Sequence, residues 1–345
     1  MQEIIHLQKK IVPEVVDLLE KRYNILRAIY FNQPIGRRVL ANELHLSERI
    51  VRTEITFLKG QGLIEINTPG MTVTKEGEEL VYKLNAFVHE LKGLSDVESE
   101  VCGLLKVKKV IIVPGDVDKN PAILSDLGKA ASNYLKKMVK DNDTIAITGG
   151  TAVKETVESL SKVNNVSRVL VVPARGGMGR TVEVQANTLA ALLASKLNGT
   201  YKMLHIPENI SPELLKSLKE EREVKEVLES VENADIFLYG IGNAIEMAEK
   251  RGLSEKSIEK LKSLEAVGEA CGCYFNKASK VVAKTTAIGI NIFEARGIST
   301  HIAVAGGKNK LESIIVTQKG NTNGVLVTDE ACAREIVKIL SKQNN

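Results

Sequence analysis

From about residue 95 onward the chain alternates short, uninterrupted apolar runs with stretches long enough to be helices. The runs are 107–113, 144–148, 169–172, 203–206, 236–239, 266–274, 302–305 and 325–327, and 125–139, 153–161, 183–197 and 212–230 read as the helices. A strand that is apolar at nearly every position has no face to give to water, so both of its faces are buried. Such strands joined by helices predict an α/β fold: a doubly wound, mostly parallel sheet covered on both sides. In a sheet of that kind ligands bind at the carboxyl ends of the strands. The residues directly after each strand are therefore where a binding site is expected.

The first ninety residues follow another pattern. Ile4, Ile5, Val12, Val15, Val16, Leu18 and Leu19 form a helical stripe with Pro13 near its middle, 23–31 is a second amphipathic run, and 38–44 a short third. His45-Leu46-Ser47 breaks it, and Ser47 is a good N-cap for a helix over 48–60. Leu63–Ile66 and Met71–Thr74 read as a hairpin around Asn67-Thr68-Pro69-Gly70, and Thr74 caps a helix over 75–91. Helix, short turn, helix and hairpin is the order of a winged helix-turn-helix. Two domains follow: residues 1–92, ending in a connector helix, and residues 93–345.

The 48–60 helix is expected to turn Ile50, Ile55 and Leu58 toward a small core. Arg49, Arg52, Thr53, Thr56 and Lys59 then face outward. Arginine bonds guanine O6 and N7 in the major groove, while threonine and lysine reach phosphate or the thymine methyl. Arg37 and Arg38 begin the preceding helix, where phosphate contacts position the reader, and Ser47 sits at the turn. Residues 37–59 hold five basic and three acidic residues. A winged helix that binds protein instead of DNA would carry much of the same pattern.

Bulk composition neither demands nor excludes nucleic acid: Lys+Arg is 47 against Asp+Glu 43, a net charge of +4, and residues 1–92 hold 13 basic and 12 acidic residues. The working charges must be few and placed. No apolar run is long enough to span a membrane, and the N-terminus lacks the apolar core of a signal peptide. Four cysteines without CxxC spacing read as buried thiols of a cytoplasmic protein. The five histidines are scattered, with no metal-ligand spacing and no Ser-His-Asp constellation, so no metal, cofactor or catalytic set is expected.

Thr144–Thr148 runs into Gly149-Gly150-Thr151-Ala152, a strand, a Gly-Gly turn and a helix start. Two glycines let backbone N–H groups face a ligand, and a helix N-terminus adds partial positive charge, which suits a phosphate. The segment lacks the spacing of a P-loop or a dinucleotide fingerprint. Other strand ends point to the same place. Arg175 follows one strand, with Gln185 beyond it; Gly306-Gly307 with Lys308 and Lys310 follows another; Tyr239-Gly240-Ile241-Gly242-Asn243 follows a third. Arg175 or Lys310 would hold a second anionic group. Glu269, in a run of small residues, is a candidate acceptor for sugar hydroxyls or, alternatively, a general base.

These motifs resemble the SorC-type bacterial transcriptional regulators over nearly the whole chain. The resemblance rests on the winged helix, ITGGTAV (147–153), PARGG (173–177), Gln185-Ala186-Asn187, YGIGNA (239–244), GEACGCYF (268–275), HIAVAGGKNK (301–310) and VLVTDEACA (325–333). It implies an effector domain similar to the sugar-phosphate isomerase and deaminase fold (NagB/ribose-5-phosphate isomerase-like). It also implies a repressor that binds double-stranded operator DNA and is released by a sugar phosphate, fructose-1,6-bisphosphate foremost. Thr148 through Ala152 would hold one phosphate, Arg175, Gln185, Glu269 and Lys310 match the remaining effector contacts, and Lys250 occupies a further contact position. Two positions depart from the family: Ala152 replaces a hydroxyl-bearing residue, and Lys250 stands where relatives carry arginine, beside Arg251. The expectation is a homo-oligomeric repressor, dimer or tetramer, because one winged helix rarely gives enough specificity alone. The rival readings are a sugar-phosphate isomerase or deaminase with an accessory domain, and a protein-binding module.

Overall fold

The computed structural model describes residues 11–44, 46–176, 181–206, 212–285 and 287–343; Ile4, Ile5, His45 and Gly177 lie outside the described residues. Two compact units result: Met1–Asp96 with Lys119–Ala122, and Val97–Asp118 with Ile123–Asn345.

The first unit contains α1 (Pro13–Asn32), α2 (Arg37–Glu43), α3 (Glu48–Gly60), a hairpin of β1 (Ile64–Asn67) and β2 (Gly70–Val73), and α4 (Lys75–Leu91). Pro13 opens α1 and does not interrupt it, because the first turn of a helix needs no proline N–H. Val15, Val16, Leu18 and Leu19 of the apolar stripe and the 23–31 run are accordingly one helix, with Val12 as its N-cap. Ser47 caps α3, its Oγ accepting from the Ile50 N–H at 3.3 Å, and Thr74 caps α4, accepting from Gly77 at 3.1 Å. The buried stripe of α3 is Val51, Glu54, Ile55 and Leu58. Ile50 lies one position off this stripe and is 39% exposed, against the expectation that it faces the core. The hairpin pairs Ile64 with Val73 and Asn67 with Gly70, so Thr68-Pro69 is a two-residue loop. Ile35 and Met71 exchange backbone bonds of 3.1 and 2.9 Å, tying the chain before α2 to β2. Gly70, at φ +147°, is required there: a Cβ would sit 2.9 Å from the Ile35 nitrogen.

The unit boundary falls in the first turn of α5 (Leu94–Leu105), and the second unit centres on seven strands: β3 (Lys109–Val113), β4 (Thr144–Ile147), β5 (Leu170–Pro173), β6 (Thr200–Tyr201), β7 (Ile236–Gly240), β12 (Thr300–Val304) and β13 (Gly324–Asp329). Their order is β3-β13-β12-β7-β4-β5-β6, and every adjacent pair is parallel. On one face α6 (Ile123–Met138), α7 (Thr151–Ser159) and α8 (Ala186–Lys196) pack Leu127, Val157 and Leu193 into a cluster with Ile145, Val171, Leu238 and Val304. The alternate residues Ala146, Val172, Phe237 and Ala303 are buried as well, as a doubly covered sheet requires. Each large apolar side chain so buried contributes about 1.5–3 kcal/mol. After β4 the chain moves outward to β5 and β6; after β7 it moves the other way, to β12 and β13. That reversal opens a crevice at the carboxyl ends of β4 and β7.

Three expectations change. Residues 203–206 form no strand: β6 stops at Tyr201, and the side-chain amide of Asn187 takes both backbone groups of Leu204, at 2.9 and 3.1 Å. The 212–230 helix is two, α9 (Pro212–Glu220) and α10 (Arg222–Glu232). Residues 266–274 fold back on themselves as β9 (Ala266–Ala270) and β10 (Cys273–Asn276), turning at Cys271 and Gly272 with φ of +51° and +76°. With β8 (Gly242–Asn243) and β11 (Val281–Lys284) they make a second, antiparallel sheet, and Tyr274 packs with Ala244, Ala248 and Leu261 of α11 (Ala244–Lys250) and α12 (Glu255–Ser263). The remaining helices are α13 (Leu311–Gln318) and α14 (Glu330–Gln343).

Candidate functional site

A cavity of about 380 Å³ occupies the crevice at the β4–β7 reversal. Thr148, Gly149, Gly150, Thr151, Ala152, Arg175, Lys250, Glu269 and Lys310 all line it. Gln185 does not, although Val184 and Ala186 on either side of it do.

The first wall is the start of α7. Gly150 adopts φ +122° as its N-cap, and Gly149 packs against the Val184 carbonyl, where a Cβ would sit 2.5 Å from the oxygen. The Gly150 N–H is spent on that carbonyl at 2.9 Å, so it does not face a ligand as the Gly-Gly turn suggested. The next amides, of Thr151 and Ala152, belong to the first turn of the helix and lack intrahelical acceptors. They carry the helix's partial positive charge into the cavity. The Thr148 hydroxyl joins the two strand ends, accepting from Gly240 N at 3.4 Å and donating to the Gly149 carbonyl at 3.1 Å.

Cations also line the cavity. Arg175 is held by the Cys271 carbonyl at 2.6 Å, in the turn between β9 and β10, and by the Thr285 hydroxyl, just past β11. Lys310 is half-buried; burial, then Lys250, push its pKa down, while Glu246, Asp118 and Asp329 act against that. The second Gly-Gly junction is internally satisfied: Gly307 N–H donates to Asp329 at 3.3 Å and Lys308 N–H to Asp118 at 2.7 Å. Of that segment only Lys310 lines the cavity. Asn243 caps α11, accepting from Ile245 at 3.0 Å and Glu246 at 3.3 Å.

Glu269 is buried between Arg251 Nη2 at 2.9 Å and the Gly272 N–H at 2.6 Å, both on Oε1. An ion-paired carboxylate fixed in this way is a good hydrogen-bond acceptor. Arg251, Cys271 and Thr285 are contributors the sequence did not single out. Their register is set by the hairpin and its turn, which local pattern does not reveal.

In the first unit Arg37, Arg38, Ser47, Arg49, Arg52, Thr53, Thr56 and Lys59 are all exposed. On α3 they form the stripe opposite Val51, Glu54, Ile55 and Leu58. Thr53 and Thr56 donate their hydroxyls to the carbonyls of Arg49 and Arg52, at 3.1 and 2.9 Å. Arg38 lies 3.5 Å from Glu48. Glu54 anchors the helix: its carboxylate meets Lys21 Nζ at 2.9 Å and Arg22 Nε at 2.8 Å on α1. Burial acts to raise the Glu54 pKa, but the bonds from Arg22 and Lys21 outweigh it and hold the group below its ordinary range. Arg22 also stacks 3.5 Å over the Phe57 ring.

Among the described residues no group of His, Cys, Asp and Glu is placed to hold a metal ion, and no helix is long and apolar enough to cross a membrane.

A helix-turn-helix with a wing, joined to a doubly wound domain with a cationic cavity, defines a ligand-responsive DNA-binding regulator. The family model "Putative sugar-binding domain" matches residues 89–338, and the CggR N-terminal DNA binding domain matches residues 18–88. The chain belongs to the SorC family of transcriptional regulators. Two proteins named central glycolytic genes regulator, from Priestia megaterium and Bacillus subtilis, are each 39% identical to it, over 98% of this chain and 99% of their own. The crystal structure of a "putative SorC family transcriptional regulator" from Enterococcus faecalis superposes with a TM-score of 0.65 at 35% identity. It covers 70% of this chain and 99% of its own. The chain is thus a sugar-responsive transcriptional regulator and not an enzyme, which removes the isomerase alternative.

Proposed function

We propose that this chain is an effector-controlled repressor of glycolytic genes, acting in the cytoplasm as a homo-oligomer, dimer or tetramer. Residues 1–92 read operator DNA through the stripe on α3, and residues 93–345 bind a phosphorylated sugar, fructose-1,6-bisphosphate. The observation that carries the reading is one cavity with two sets of anion-attracting groups in its walls, the α7 N-terminus and the side chains of Arg175, Lys250 and Lys310. A doubly phosphorylated sugar satisfies both sets at once, with one phosphate on the Thr151 and Ala152 amides and the other on the cations. Glu269 accepts a hydroxyl of the sugar between them. The names of the two relatives support glycolytic genes as the target. Release from DNA requires that the effector bind the DNA-free association state more tightly than the DNA-bound one.

A thermal-shift screen of phosphorylated metabolites tests the effector. A ligand at about 100 times its dissociation constant adds about 2.7 kcal/mol to the stability of the domain that binds it. Fructose-1,6-bisphosphate is expected to give the largest shift. A larger shift from a monophosphate, or none from any sugar phosphate, contradicts the reading.

A further inference from the structure

We infer that Arg251 is the positioning residue of the effector cavity: it fixes the Glu269 carboxylate and cancels its charge, so that a carboxylate can read a sugar hydroxyl beside phosphates it would otherwise repel. The inference rests on the proposed phosphorylated-sugar effector.

A carboxylate is a costly group in a cavity built for anions. Glu269 and Arg251 line the same cavity as the α7 N-terminus, Arg175 and Lys310. Both side chains are nearly inaccessible, at 5% and 4% exposure, so solvent screens the Glu269 charge little. The Arg251 guanidinium bonds Glu269 Oε1 through Nη2 at 2.9 Å and the Tyr274 hydroxyl through Nη1 at 3.1 Å. The guanidinium is thereby held by β9 and β10 while its backbone follows α11. Oε1 also accepts the Gly272 N–H at 2.6 Å, so both bonds fall on one oxygen and Oε2 is left as the acceptor for a ligand donor. The pair as a whole is neutral toward an incoming phosphate. Lys250, the neighbouring residue, is exposed and cannot do this work from its position.

Titration of the full-length chain with fructose-1,6-bisphosphate and, separately, with inorganic phosphate tests the role, using Arg251→Gln, Glu269→Gln, the double substitution and Arg251→Lys. R251Q leaves an uncompensated buried carboxylate, and both ligands are expected to weaken about tenfold or more. E269Q is expected to weaken the sugar bisphosphate about tenfold and leave phosphate unchanged or tighter. The double substitution removes both charges, and phosphate binding is expected to return to within about threefold of wild type while the sugar bisphosphate stays weak. A purely structural arginine would not be rescued by the second substitution. Phosphate binding as weak in the double variant as in R251Q overturns the inference, as does an R251Q variant within twofold of wild type for both ligands. Should R251Q fail to fold, R251K decides: loss of the fork is expected to lower the preference for the sugar bisphosphate over phosphate, and an unchanged preference overturns the inference. Failure of the wild type to bind any phosphorylated sugar would sink the effector assignment instead, and the phosphate titrations still report the coupling.

Discussion

The guanidinium of Arg175 packs against the backbone of Gly272 so closely that a Cβ there would overlap it, while bonding the carbonyl of Cys271 one residue earlier. The main cation of one cavity wall is thus shaped by a turn almost a hundred residues away. Gly272 is doubly constrained, by this contact and by φ +76°. Gly272→Ala is expected to cost about 1–2 kcal/mol from the left-handed backbone alone. Displacement of Arg175 adds a loss of effector affinity of about tenfold or more. Calorimetric titration with thermal unfolding separates the two effects.

Arg49 and Arg52 lie three residues apart on the exposed stripe of α3. Replacing either with alanine is expected to weaken operator binding by about 1–3 kcal/mol if it bonds a base, and to relax specificity at that position. Arg38 on α2 should behave differently, weakening all sequences alike and lowering the salt dependence by about one unit of slope. Anisotropy titrations on operator and scrambled duplexes across a salt series give both readings.

Glu54 titrates below its ordinary range because Arg22 and Lys21 outweigh the burial that opposes ionisation. A depressed carboxyl adds stability that is fully present above its unfolded value of 4.5 and is lost as the pH falls through the lower folded value. Glu54→Gln is expected to remove this contribution at neutral pH and to flatten the acid limb of the stability curve. Denaturant melts of the first unit's helices between neutral pH and the acid limb check this; an unchanged acid limb contradicts it.

Lys310 is pushed down from 10.5 by burial first and by Lys250 second. A lowered lysine makes the ligand-free domain more stable as the pH rises through the folded value, because the buried charge is shed. Anion affinity runs the opposite way: it falls over the same range and binding takes up protons there. Lys310→Met is expected to lose affinity and this pH dependence together, measurable by calorimetry in buffers of different ionisation enthalpy.

Much of this architecture is legible in the residues because local pattern and tertiary role coincide. The strand over 144–147 and the helix from Thr151 announce the first cavity wall, and Ser47 announces α3. Legibility fails where distant groups decide. The Gly306-Gly307 junction looks like a phosphate loop, but Asp118 and Asp329 take its amides. Asn187 ends a strand that the apolar run at 203–206 promised. The turn at Cys271-Gly272 needs positive φ at two successive residues, and cysteine does not signal it, so a hairpin reads as one strand. Ile50 sits one helical position, about 100° of rotation, off the buried stripe, a difference that the spacing of apolar residues alone does not resolve.

The central claim is that a sugar phosphate in the cavity controls DNA binding by α3. The most direct measurement is the fluorescence anisotropy of a labelled operator duplex titrated with the full-length chain, with and without fructose-1,6-bisphosphate, across a salt series. Sequence-specific binding is predicted, weakened by the effector at every salt concentration and left unresponsive when Arg175 is replaced by alanine. Specific binding that ignores fructose-1,6-bisphosphate, or an effector response that survives loss of Arg175, would contradict the account.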